Sequence, residues 1–304
     1  MITSPGIYEL PESVYHADPC PVPSLSHSIA RTLMDRSPMH AWTNHPRLNP
    51  DFTPSTGTKA MDDGSILHAF LLGAGSEYVQ LGFDDYKTKA AQQARDAVRD
   101  AGKIPVLEHK LDALRACARE VTKQINRHPD LAQFFAPGRS EVSILWQRGK
   151  TWCRGLIDRL PDDPSAPIFD LKTTALSAAP HAWERKLIHD YCTQAAFYLG
   201  GMKALKLPAR PFLFIVAENE APYGVSVFTP APSLMDYAER RIARAAALWD
   251  RCMERGDWPS YPLMTAHIEA PAWLVETEAG EIMHRQAQGA STETDDQMLE
   301  ELLA

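Results

Sequence analysis

The chain has 304 residues, 44% of them hydrophobic, and a net charge of −8 from 31 basic and 39 acidic side chains. That length supports one large domain or two small ones around a buried core, and no apolar run approaches the roughly 20 residues of a membrane span. Five scattered cysteines with no C-x-x-C pair argue against a disulfide framework and against a zinc or iron–sulfur site. With no basic-then-apolar start, the chain reads as cytoplasmic with reduced thiols.

Residues 1 to about 60 are rich in Pro, Ser and His. Ser24-Leu25-Ser26 precedes apolar positions Ile29, Leu33 and Met34, which predicts a Ser-capped helix ending near Ser37-Pro38. The stretch 49–58 reads as a loop. DDGSILHAFLLG reads as a helix capped by Asp62 or Asp63 and ended by Gly73. Helices are also predicted near Lys87–Ala101 and Leu107–Arg127. Lys87, Lys89, Arg95, Arg99 and Lys103 could line a DNA path. The interleaved Asp84, Asp85, Asp96 and Asp100 favour a solvated face instead.

The pattern changes at Glu141. EVSILWQ, RGK and TWCRGLIDRL read as strand, turn and strand, and APIFDLK as a third strand. A helix over 182–205, strands PFLFIVAE and YGVSVFTP, and a helix over Pro232–Arg255 come next. The order β-β-β-α-β-β-α behind a helical region predicts an α/β fold, a mixed central sheet flanked by helices. Residues 1–275 are expected to form one domain, with a helical part to about 138 and a core from about 139 to 260. The segment 276–304 has eight acidic residues and one basic, leaving the rest nearly neutral, and is expected to be disordered. Its end, DDQMLEELLA, places Met298, Leu299, Leu302 and Leu303 at helical spacing, as a docking segment or a solubilising tail.

Strand alternation puts Ile168, Asp170 and Lys172 on one face and Phe169 and Leu171 on the other. If the neighbouring strands pair, Asp158 and Asp170 converge. Two close carboxylates repel each other unless a cation sits between them. A hard oxygen-binding ion such as Mg²⁺ suits the pair, and would be placed against a phosphodiester with Lys172 orienting a water. Taken singly, each of these residues could instead be a strand-end turn group or a solvated charge. His68 shares a helix face with Gly64 and is a candidate ligand, phosphate contact or core histidine. Gln194 and Tyr198 form an i, i+4 polar pair on the helix after the third strand, able to reach a nucleic-acid end or only solvent. Gly149-Lys150-Thr151 lacks the upstream glycine of a phosphate-binding loop and reads as a hairpin turn.

GSILH, GLIDRL, FDLK and QAAFY, in this order, resemble the PD-(D/E)XK nucleases, and within them the RecE-like exonucleases of phage and prophage recombination. PSLSHSIARTLMDRSPMHAW is similar to that family's entry segment, and the resemblance spans roughly residues 5–260. It implies that His68, Asp158, Asp170 and the Leu171 main-chain carbonyl ligate Mg²⁺, with Mn²⁺ able to substitute. It also implies that Lys172 serves the attacking water and that Gln194 and Tyr198 contact DNA. Glu141 is a further candidate ligand. The implied activity is 5′→3′ digestion of linear duplex DNA by a ring-shaped homo-oligomer, leaving 3′ strands for a single-strand annealing protein. A structure-specific repair endonuclease and a catalytically silent DNA-binding scaffold are the alternatives. Relatives bearing an iron–sulfur cluster need four placed cysteines, which this chain lacks.

Overall fold

A computed structural model describes residues 1–54 and 59–287 of the chain. The N-terminal region contributes β1 (Gly6–Tyr8), α1 (Glu12–His16), β2 (Leu25–Ser26), α2 (His27–Asp35) and α3 (Pro38–Thr43). The expected serine cap is present: Ser26 Oγ accepts the Ile29 N–H at 3.3 Å. Residues 55–58 of the expected loop lie outside the described residues.

α4 (Lys59–Leu72) starts before the predicted aspartate cap, so Asp62 and Asp63 lie inside it. Asp62 instead accepts from Arg99 at 2.6 Å. The predicted stop holds: Gly73 has φ +67° and its N–H closes the helix on the Ala69 carbonyl.

β3 (Tyr78–Leu81), α5 (Lys89–Asp100) and β4 (Ile104–Leu107) form a two-stranded parallel unit, followed by α6 (Glu108–Arg127). The cations here are matched locally. Lys87 pairs with Asp85 at 3.1 Å, Arg95 with Asp96 at 2.8 Å and Lys103 with Glu77 at 2.8 Å. That pairing supports the solvated-face reading.

The core then runs β5 (Gly138–Arg148), β6 (Thr151–Pro161), β7 (Ile168–Thr174), α7 (Pro180–Lys186), a π-turn (Leu187–Tyr191), α8 (Cys192–Ala204), β8 (Phe212–Glu218), β9 (Val225–Phe228) and α9 (Pro232–Arg255). This is the predicted order, except that the single helix expected over 182–205 is broken by the π-turn. Gly149 turns the β5–β6 hairpin with φ +60°.

The main sheet is mixed and mostly antiparallel, in the order β1-β5-β6-β7-β8-β9, with β2 beside β6. β6 is forked. Its end pairs with β7 at Arg159↔Phe169, while its start pairs with β2 at Leu25↔Cys153. Between those contacts β7 peels away from β6, and the backbone groups it turns toward β6 need other partners.

Alternation along β7 and β8 feeds two cores. Ile168, Phe212 and Phe214 pack with Phe197, Ile242 and Trp249 of α8 and α9. Phe169, Leu171, Leu213 and Ile215 pack with Leu67, Leu71, Val121 and Ile125 of α4 and α6. Burying side chains of this size contributes about 1.5–3 kcal/mol each. The sheet is therefore held from both faces around the fork.

Met1–Tyr261 forms one compact unit, and the described residues from Pro262 onward belong to a second. The second unit contains α10 (Ala272–Ala287). Straight-chain helix formers dominate the part of this helix from 276 to 287. Residues 288–304, including DDQMLEELLA, lie outside the described residues. Among the described residues no helix is long and apolar enough to cross a membrane.

Candidate active site

The fork between β6 and β7 gathers the chemistry. Leu171 sits where the ladder has opened, and both of its backbone groups are taken by side chains. Its N–H donates to Asp158 Oδ2 at 2.8 Å, and its carbonyl accepts from His68 Nε2 at 2.7 Å. Asp158 is thereby fixed by the strand it faces, and His68 by a carbonyl 103 residues away. Gly64 lets α4 come this close, since a Cβ there would stand 3.0 Å from Thr173 Oγ1.

With Nε2 committed, His68 turns Nδ1 toward two carboxylates, Glu141 Oε1 at 3.9 Å and Asp158 Oδ2 at 4.0 Å. One ligand atom from each of His68, Glu141 and Asp158 lies within 4.8 Å of the others. Glu141 stands across the hairpin from Asp158, between the pairs Ser140↔Arg159 and Val142↔Ile157. Its backbone is left-handed, φ +52°, which is strained for a residue with a Cβ. With this backbone the Glu141 carboxylate lies in the cluster. The sequence marked Glu141 only as a further candidate, because its partnership with Asp158 depends on hairpin register.

Asp170 stands beside this cluster, held by other groups. It is 1% exposed, accepts from Gln194 Nε2 at 2.5 Å, and forms an ion pair with Lys172. The expected ligand set of His68, Asp158, Asp170 and the Leu171 carbonyl is therefore gathered at one fork. The side chains whose ligand atoms converge are those of His68, Glu141 and Asp158. The Leu171 carbonyl is occupied by His68.

Electrostatics arise from burial and crowding. Burial, then the neighbouring Asp158, pushes the Asp170 carboxyl up to about 7, against the pull of Lys172. Burial also raises Asp158, partly offset by His68 and Lys172. For Lys172, burial opposes the charge, but Asp170 and Asp158 outweigh it and hold the ammonium above the ordinary lysine value. For His68, burial likewise opposes the charge, and Glu141 and Asp158 reverse the outcome, so its pKa is raised. A site with this much negative charge in a low-dielectric fork is stabilised by a cation. Two carboxylates and one imidazole suit a hard divalent ion.

The cluster opens into a cleft of about 560 Å³ bordered by Glu12, Gly64, His68, Glu141, Asp158 and Lys172. Tyr191, at the end of the π-turn, places its ring 5.1 Å from Lys172 Nζ and stacks on Trp183 at 5.6 Å. Sequence reasoning missed Tyr191, since nothing in its spacing announces the π-turn. Gln194 and Tyr198 are both buried. Gln194 is engaged with Asp170. The Tyr198 ring packs over Gly155, where a Cβ would come within 2.8 Å of it. Both residues border a second cavity that continues from Leu156 and Asp158.

A family model described as a PDDEXK-like domain of unknown function (DUF3799) matches residues 26–269. No curated protein matches the chain in sequence. A crystal structure of a "putative exonuclease" from Eubacterium rectale is similar in fold, with TM-score 0.54 and 12% identity over 90% of this chain and 99% of that one.

Proposed function

Because the chain belongs to the PDDEXK-like domain family, we propose that it is a divalent-metal-dependent nuclease acting on the ends of linear duplex DNA. The observation that carries this reading is the convergence of His68, Glu141 and Asp158 beside the buried Asp170–Lys172 pair. His68, Glu141 and Asp158 would hold the ion, with Asp170 alongside. A bound Mg²⁺ or Mn²⁺ supplies Lewis-acid polarisation of phosphoryl oxygens and a more acidic water.

The chain's own groups do the rest. Lys172 stays an ammonium, so it acts as a donor and not as a base. It orients the attacking water and stabilises negative charge developing on the phosphate. Asp158 and His68 lock Leu171 and hold the fork open. Gln194 fixes the Asp170 carboxylate.

The exonuclease mode, 5′→3′ polarity, a homo-oligomeric ring and delivery of 3′ strands to an annealing protein extend the reading from the RecE-like resemblance. Linear duplexes labelled at the 5′ or 3′ end, and a closed circle, are incubated with Mg²⁺ or Mn²⁺ and with EDTA. Metal-dependent release of the 5′ label from linear DNA, lost in Asp170→Asn and Lys172→Ala, is the expected result. Cleavage of the closed circle would assign an endonuclease. No hydrolysis by wild type, or full activity of Asp170→Asn, overturns the proposal.

A further inference from the structure

Glu12 opens α1, and Ser76 lies just past the end of α4. Both border the catalytic cleft together with His68, Glu141 and Asp158. Ser76 Oγ donates to Glu12 Oε2 at 2.6 Å, a contact between residues 64 apart in sequence. Neither side chain has a part in the chemistry proposed above.

Topology places this contact. α1 leaves β1, which pairs with β5 at Tyr8↔Ser143. α4 ends beside β5, where Ser140 Oγ donates to the Leu72 carbonyl at 2.8 Å. Gly73 and Gly75, at φ +67° and +125°, then turn the chain off the helix and deliver Ser76. Two arms thus rise from the β1–β5 edge of the sheet and meet on the Glu141 side of the cleft. Lys172 and Thr173 of β7 stand on the other side. The second cavity, of about 240 Å³, leads off past Tyr15 and His16, which also belong to α1. α1 therefore borders both ways out beyond the cluster of His68, Glu141 and Asp158.

Charge reinforces the wall. His16 Nε2 lies 3.6 Å from Glu12 Oε1, so each carboxylate oxygen faces a partner. His16 first, and Ser76 as well, hold the Glu12 pKa below its ordinary value against the effect of burial. The group is therefore ionised at neutral pH. A phosphodiester strand running on past Glu141 would bring its phosphates against this carboxylate, and like charges set face to face oppose binding. A strand that ends in the cleft meets no such cost.

We propose that Glu12 and Ser76 determine specificity for DNA ends: their bond closes the cleft beyond Glu141, so that the site takes a free end and turns away a continuous strand. This rests on the nuclease reading and deepens it. The groups that would hold the ion, and Lys172, are untouched by changes at these two positions.

The experiment compares a short duplex with free ends and the same duplex closed at both ends by hairpin loops. Binding is read by fluorescence anisotropy in EDTA, and hydrolysis separately in Mg²⁺. Wild type should bind the open duplex about tenfold more tightly than the closed one and cleave the open one alone. Ser76→Ala and Glu12→Ala should bring the two affinities within about threefold of each other and nick the closed duplex. Glu12 is half-exposed and Ser76 only partly buried, so neither change removes a core side chain. Glu12→Gln keeps an acceptor for Ser76 and removes the charge. A preference kept in Glu12→Gln assigns the stop to the hydrogen-bonded wall, and a preference lost assigns it to the charge. A preference that survives in both alanine variants, or is absent from wild type, overturns the stop. A binding preference that responds to the variants without any hydrolysis would sink the nuclease reading alone. Hydrolysis with an unresponsive preference would sink only the stop.

Discussion

Gln194 donates its side-chain amide to Asp170 Oδ2 at 2.5 Å from the first turn of α8, directly after the π-turn Leu187–Tyr191. A π-turn widens the helix by one residue and so rotates the next turns of helix about the axis. That rotation aims Gln194 at Asp170. Groups that orient carboxylates at metal sites typically matter 10–100-fold in metal affinity or activity. Gln194→Ala should raise the Mg²⁺ concentration for half-maximal hydrolysis by about 10–100-fold, with little change in thermal midpoint. An unchanged metal requirement would remove Gln194 from the site.

Tyr191 sets its ring against the Lys172 ammonium. The ring lies 5.1 Å from Nζ and is braced by Trp183 in a stack tilted by 12°. A desolvated cation–π contact contributes about 1–2 kcal/mol, or roughly 5–30-fold in rate if it acts on the transition state. Tyr191→Leu should lower kcat within that range and leave KM nearly unchanged. Tyr191→Phe should restore it, since the ring face is kept. Equal losses in both variants would point to the phenol hydroxyl instead.

Glu141 carries its carboxylate on a left-handed backbone, φ +52°, in the middle of β5. Such strain costs on the order of 1–3 kcal/mol, whereas glycine adopts this conformation freely and loses about 0.5–1 kcal/mol in chain entropy. Glu141→Gly should therefore stabilise the protein by about 1 kcal/mol. It should also weaken Mn²⁺ binding, measured by calorimetry. The two readouts should move in opposite directions. A variant that is less stable, or that binds Mn²⁺ as wild type does, would show that the strain does not serve the cluster.

What the sequence made legible, and what it hid, divide along physical lines. Asp158, Asp170 and Lys172 could be read because strand alternation is local: Phe169 and Leu171 had to enter the core, so Asp170 and Lys172 had to face the other way. The hairpin, the order of the core strands and the Ser26 cap are local in the same sense. Features set by tertiary contacts were hidden. β3 and β4 are four residues each, and β4 contains Pro105, so neither carries a strong period. The fork in β6 depends on β2, a two-residue strand. Arg154 did leave a signal, a cation between Cys153 and Gly155 in the buried half of β6, but its partners Asp18 and Ser24 lie more than a hundred positions away.

Acid should destabilise the protein through His45. This side chain is fully buried against Trp249, with Arg154, Asp18 and Arg47 around it. Its Nδ1 accepts the Arg47 N–H at 3.2 Å, so its Nε2–H donates to the Ser24 carbonyl at 3.0 Å, which defines a neutral ring. Burial, then Arg154, lowers its pKa to about 4. The unfolded chain takes up this proton near pH 6.5 and the folded chain only near 4. Stability from this group is therefore complete above about 6.5 and falls as pH drops toward 4, by up to about 1.4 kcal/mol per pH unit. Asp170 works the other way over part of the range, because its raised pKa favours the folded state as it gains a proton. The informative quantity is the difference between wild type and His45→Gln, whose amide can reproduce both hydrogen bonds without titrating. Urea unfolding at pH 7.5 and pH 5 should show wild type losing about 1–2 kcal/mol more than His45→Gln. Equal losses would mean that His45 does not titrate on unfolding.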